Sequence, residues 1–147
     1  MRTSHLHVGL TVKNLERSLA FYRDVVGMEV TRQFKSASEE FDRLTHNEGA
    51  RLHLAHLRLG RFEVQLIEYL AGGSDSALEL SHERCGSPHM CFRVDDVDRK
   101  FRDLQAREDV RITSEIVNIA PGARSFYTAD PDGVPVEFVG ITPSGGH

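Results

Sequence analysis

The sequence predicts an α+β fold made of two tandem βαβββ modules, and three observations predict it. A strand-and-helix segment occurs twice: His7-Val8-Gly9-Leu10-Thr11-Val12 runs into Asn14-Leu15, and His89-Met90-Cys91-Phe92-Arg93-Val94 runs into Asp96-Val97, at an offset of 82. A second pair of strands, 62–67 and 134–139, recurs at an offset of 72. In both copies an alternating period of two gives way to helical spacing. The chain of 147 residues is therefore expected to be one domain, with half-modules 5–70 and 88–141 joined by a linker over 71–87.

The first strand spans 5–12, with Leu6, Val8, Leu10 and Val12 on one face and His5, His7, Gly9 and Thr11 on the other. Asn14 is the expected N-cap of the helix that follows. Leu15, Leu19, Tyr22 and Val26 recur at helical spacing, and Gly27 stops the helix. Residues 28–32 read as a second strand, and the mixed stretch 33–45 as a surface loop. Strands 50–59 and 62–69 flank Gly60-Arg61, a two-residue hairpin signal. Ala71-Gly72-Gly73-Ser74-Asp75-Ser76 opens the linker, and Ser87-Pro88 marks entry to the second half. There strand 89–94 leads to Asp95 or Asp96 as cap, then to a helix with Val97, Phe101 and Leu104 on one face. Strands near 110–117 and 124–129 follow, and Asp130-Pro131-Asp132-Gly133 turns the chain into its last strand. The tail 142–147 is expected to fray.

Composition narrows the function classes. Hydrophobic residues make up 39% with no apolar run near the ~18 residues of a membrane span. A net charge of −4 without a Lys/Arg block leaves no nucleic-acid footprint. Met1-Arg2-Thr3-Ser4 passes directly into a strand, so no signal peptide and a cytoplasmic protein are expected. Cys85 and Cys91 are too few for a disulfide framework; Cys91 reads as a strand filler and Cys85 as an ordinary thiol.

Strand parity decides which side chains share a site. His7 and His89 lie opposite the apolar faces that meet the helices. Gln65 lies between Val64 and Leu66, and Glu137 between Val136 and Phe138, so both point the same way as the histidines. Two curled sheets with helices outside would bring these four side chains to an inner cleft. Two imidazoles, an amide oxygen and a carboxylate suit one divalent ion such as Zn, Ni, Co, Mn or Fe(II), with water in the open positions. If Gly60-Arg61 is the turn, His56 lies opposite Gln65, and Glu48 has the same parity. Arg58 and Glu68 read as surface or rim residues.

These motifs, with Phe21-Tyr22-Arg23-Asp24-Val25-Val26-Gly27, Val64-Gln65-Leu66-Ile67-Glu68 and Asp130-Pro131-Asp132-Gly133-Val134-Pro135-Val136-Glu137, resemble the vicinal oxygen chelate superfamily over residues 5 to about 141. That superfamily includes glyoxalase I, methylmalonyl-CoA epimerase, extradiol dioxygenases, and fosfomycin and bleomycin resistance proteins. The resemblance implies a metal held by His7, Gln65, His89 and Glu137, a His/Gln/His/Glu order most similar to methylmalonyl-CoA epimerase. Bacterial glyoxalase I usually has Glu where this chain has Gln65. The resemblance also implies a base at Glu137 or Glu48, and an anion contact at Arg124. His56 joins these as a candidate substrate-binding residue.

The leading expectation is thus a metal-dependent lyase or isomerase of the glyoxalase I or methylmalonyl-CoA epimerase type. Its substrate would be a small keto, acyl-thioester or hemithioacetal compound, with the proton moved through a metal-stabilised enediolate. One alternative is an Fe(II) extradiol-type dioxygenase using His7, His89 and Glu137; Tyr127 onward partly matches that signature, without its preceding His. Another is a bleomycin or fosfomycin resistance-type binding or modifying protein. The resemblance further implies a homodimer, with each site built within one chain or across two.

Overall fold

A computed structural model describes residues 1–74, 76 and 79–142. The chain divides into two compact units, Met1–Ala77 and Leu78–His147. The tail expected to fray lies outside the described residues from 143 onward, as does Asp75 of the linker. Among the described residues no helix is long and apolar enough to cross a membrane.

In the first unit β1 (Val8–Thr11), β2 (Glu29–Ser36), β3 (Arg51–Leu59) and β4 (Phe62–Ala71) form a sheet in the order β1-β4-β3-β2. β1 pairs with β4 in parallel, Val8 opposite Val64 and Gly9 opposite Gln65. The strand is shorter than its alternation suggests. Leu6 lies outside the strand and is exposed. Leu10 and Val12 keep the expected buried face.

Helix α1 (Leu15–Ala20) begins as read, with Asn14 Oδ1 accepting the Arg17 N–H at 2.9 Å. Its second part, Phe21–Val26, is a wider π-helical turn that ends at Gly27, whose φ of 93° suits glycine. The wider turn breaks the 3.6-residue period. Phe21, Tyr22 and Val25 are buried, while Val26 is only half-buried. Glu68 also proves more than a rim residue: its carboxylate accepts the Leu15 N–H at 3.0 Å and ties the helix start to β4.

The stretch 33–45 departs most from expectation. β2 runs on to Ser36, and a helix, α2 (Glu39–Thr45), follows it, capped by Ser38 Oγ on the Phe41 N–H at 3.1 Å. Phe41 packs with Phe34, Ile67 and Tyr69 against buried Ala50, Leu52 and Leu54. The β3–β4 hairpin turns at Gly60-Arg61 and pairs His56 with Gln65, as the loop length requires.

In the second unit β5 (Met90–Val94), β6 (Arg111–Ile112), β7 (Val117–Ala120), β8 (Ala123–Ala129) and β9 (Pro135–Ile141) form a sheet. The order is β5-β9-β8-β6, with β7 paired to β8. The strand expected over 110–117 is two short ones, each paired separately with β8. Helix α3 (Val97–Gln105) is capped by Asp96 on the Arg99 N–H at 2.9 Å. Val97 and Leu104 are buried, and the Phe101 ring stands edge-on to Phe126 at 5.0 Å. Asp130, itself buried, holds the last turn by accepting the Asp132 and Val134 N–H groups at 2.9 and 2.8 Å.

The repeat reappears in the hydrogen-bond register. Val8 opposite Val64 becomes Met90 opposite Val136, and Gly9 opposite Gln65 becomes Cys91 opposite Glu137. The offsets of 82 and 72 carry one pairing onto the other.

Candidate functional site

Each unit gathers half of the expected donor set on the sheet face away from α1 or α3. In the first, Gln65 Nε2 lies 3.1 Å from His56 Nε2 across the β3–β4 pair. The His7 ring stands edge-on to His56, centroids 5.7 Å apart and planes 89° apart. His7 Nδ1 is buried and has no hydrogen-bond partner among the described residues. Leaving such an atom unpaired costs about 1–3 kcal/mol, so it is a ring nitrogen still lacking the partner that burial calls for.

His56 is held below the usual histidine range, first by burial and then by the neighbouring His7 and Arg32. Its ring stacks on Phe34 at 6.2 Å, and the Arg32 guanidinium lies over the other partner of that stack, 4.3 Å from the Phe34 centroid. Farther along the same sheet face sits the apolar group of Leu52, Leu54, Ile67, Tyr69 and Phe41.

In the second unit Glu137 is the hub. Ser125 Oγ donates to one carboxylate oxygen, and Tyr127 Oη to the other at 3.1 Å. His89 Nε2 lies 3.9 Å from Glu137 Oε2 and its ring 6.0 Å from that of Tyr127. The His82 ring meets Tyr127 edge-on at 4.5 Å. Burial, and then the negative charge of Glu137, push the Tyr127 phenol up to about 12 and the Cys91 thiol up to about 11. Both groups are thus neutral at ordinary pH, and the Tyr127 phenol serves Glu137 as a hydrogen-bond donor.

The four expected ligands therefore come as two pairs, His7 with Gln65 and His89 with Glu137. Among the described residues no group of three or more His, Cys, Asp and Glu side chains forms a metal cluster by itself. The donor types fit a divalent ion, and the orphaned His7 nitrogen is the observation of that fit.

Two expected residues are not brought to these faces. Glu48 is exposed in the turn between α2 and β3, which begins only at Arg51. Asp42 Oδ2 fixes that turn by accepting the Gly49 N–H at 2.7 Å, so strand parity cannot be counted back to 48. Arg124 lies in β8, within the strand expected near 124–129, on the face opposite Ser125 and Tyr127. There it makes a bidentate pair with Asp98 of α3 at 2.5 and 2.9 Å, which raises its own pKa and lowers that of Asp98. Its charge is already committed to a helix.

Ser125, Tyr127, Cys91 and Arg32 are the site-face residues that the sequence reading left out of the ligand set. The signal existed. Counting back from Glu137 through the Asp130–Gly133 turn gives Tyr127, as counting back from Gln65 gives His56.

The family described as Glyoxalase/Bleomycin resistance protein/Dioxygenase superfamily matches residues 5–138. A 2-epi-5-epi-valiolone epimerase of Actinomyces sp is 30% identical, over 95% of this chain and 79% of that one. The mitochondrial methylmalonyl-CoA epimerase of Bos taurus is 28% identical, over 90% of this chain and 71% of its own. Among solved structures, a glyoxalase family protein of Bacillus cereus superposes with a TM-score of 0.83 at 17% identity, covering 96% of this chain and 98% of that one.

Proposed function

Because the chain belongs to the Glyoxalase/Bleomycin resistance protein/Dioxygenase superfamily, we propose that it is a divalent-metal-dependent isomerase or lyase acting on a small keto, acyl-thioester or hemithioacetal substrate. The ion takes His7 and Gln65 from a first unit and His89 and Glu137 from a second, of one chain or of two. When bound, it supplies Lewis-acid charge to the substrate's adjacent oxygens. The observation that carries the reading is His7 Nδ1, buried and unpaired beside His56 and Gln65.

Glu137 is the base. Its two oxygens are held by Ser125 and Tyr127, which aim the carboxylate while leaving it lone pairs to take a proton. A carboxylate so placed removes the proton alpha to a carbonyl and returns it, on the same carbon face or the other. The Tyr127 phenol, held protonated, keeps its hydrogen bond to Glu137 across that cycle. Two epimerases among the relatives favour the isomerase branch. The same family membership supports a homodimer, and we place the protein in the cytoplasm.

Metal analysis of protein purified without chelator tests the reading. Wild type is expected to carry one Zn, Ni, Co, Mn or Fe(II) per site, and His7→Ala and Glu137→Ala to lose it. Wild-type metal content in both variants would sink the proposal. A turnover panel of methylmalonyl-CoA, hemithioacetals and catechols then sorts the branch: catechol cleavage with bound iron would replace the isomerase with a dioxygenase.

A further inference from the structure

In both units the donor on the inner hairpin strand is gripped by its cross-strand neighbour. Gln65 meets His56 at 3.1 Å, and Glu137 meets Tyr127 at 3.1 Å. In both, the histidine that opens the module stands edge-on to that neighbour, His7 to His56 and His89 to Tyr127. The register makes the two arrangements equivalent, His56 opposite Gln65 and Tyr127 opposite Glu137.

Their hydrogen-bond sense is opposite, and each neighbour matches what it holds. A carboxylate only accepts, and it faces a phenol that donates. An amide nitrogen only donates, so His56 Nε2 has to accept, which requires a neutral ring protonated at Nδ1. Gln65 has a single oxygen. With its NH2 given to His56, Oε1 is the atom left for another partner. An Nε2–H ring would draw Oε1 to itself and turn the NH2 outward, and an amide NH2 has no lone pair to offer a cation.

Resting on the metal-site reading above, we propose that His56 is a positioning residue: its Nε2 fixes the Gln65 amide so that Oε1 is presented to the ion. Tyr127 grips Glu137 in the same way, with less at stake, because either carboxylate oxygen can ligate.

That difference supplies the test. Gln65→Glu makes the donor symmetric, so orientation ceases to matter there. Mn(II) dissociation constants are measured by titration calorimetry for wild type, His56→Leu, Gln65→Glu and the double variant, with circular dichroism reporting that each is folded. His56→Leu is expected to weaken Mn(II) binding about tenfold in wild type. In the Gln65→Glu background the loss should stay within about twofold. His56→Asn, whose Oδ1 also accepts from an amide, should recover most of the affinity. Equal losses in both backgrounds would reduce His56 to packing and overturn the inference, as would an unchanged constant in His56→Leu. ¹⁵N shifts of His56 in the metal-free protein give a check that needs no variant: an Nε2–H tautomer overturns it too. His7→Ala and Glu137→Ala in the same assay separate the two claims. If they bind Mn(II) as wild type does, the metal reading falls and takes this inference with it. If they lose Mn(II) while His56→Leu keeps it, only the positioning role falls.

Discussion

Cys91 illustrates how much one carboxylate governs in the second unit. The thiolate is the reactive form, and Cys91 is pushed up to about 11 by burial and by Glu137. Its alkylation by iodoacetamide should be slow at pH 8 and accelerate as pH approaches 11. Glu137→Gln removes the charge contribution but not the burial, so the Cys91 peptide, followed by mass spectrometry, should label faster at pH 9. An unchanged rate would mean that Glu137 does not act on the thiol. Arg124 offers the opposite expectation. Its pair with Asp98 lies on the helix side of the sheet, so Arg124→Ala should leave metal content and substrate KM unchanged, and a raised KM would restore its expected role as an anion contact. At this scale the sequence was readable wherever a turn of known length fixed the pairing. Gly60-Arg61 fixes His56 opposite Gln65. Glu48 failed the same count because β3 starts only at Arg51, three residues after it.

The elements were legible where their ends carry side-chain caps. Asn14 and Asp96 both do as their residue types predict, and Asp96→Ala should lower stability by about 1 kcal/mol in thermal unfolding. Asp130 does more, holding two backbone N–H groups in a buried turn. Asp130→Ala should therefore cost about 2 kcal/mol, read by urea denaturation; a loss like that of Asp96→Ala would mean that water replaces the carboxylate. Helix α2 was not legible. It buries no residue fully, Leu44 is exposed, and Phe41 is its residue packed against the apolar group of β3, so no helical stripe appears in the sequence. Its Ser38 cap and the Glu39-Glu40 first turn were the remaining signals. The π-helical turn after α1 left none, because its period differs from that of the helix it continues.

On the scale of the whole chain, duplication was the most reliable signal. Offsets read from residue types alone return in the register of both parallel pairs. What the repeat could not supply is the partner chemistry, since His56 and Tyr127 are unlike residues in like places. An ion that binds only the folded protein stabilises it by about 2.7 kcal/mol at a hundred times its dissociation constant. Mn(II) should therefore raise the midpoint of thermal unfolding and EDTA reverse the gain, whereas no shift at saturating Mn(II) would mean that folding builds no site for it. The two offsets also differ from each other. From its opening strand to its last, the first module holds ten more residues than the second, and this longer stretch contains α2. A perfect duplicate would present a ligand with two indistinguishable surroundings and let it bind equally well either way round. With Phe41 packed against an apolar patch of the first unit, the two modules are not exact copies of each other. For the substrate of the proposed function, unlike surroundings of this kind are the condition for acting on one face of a carbon and knowing it from the other.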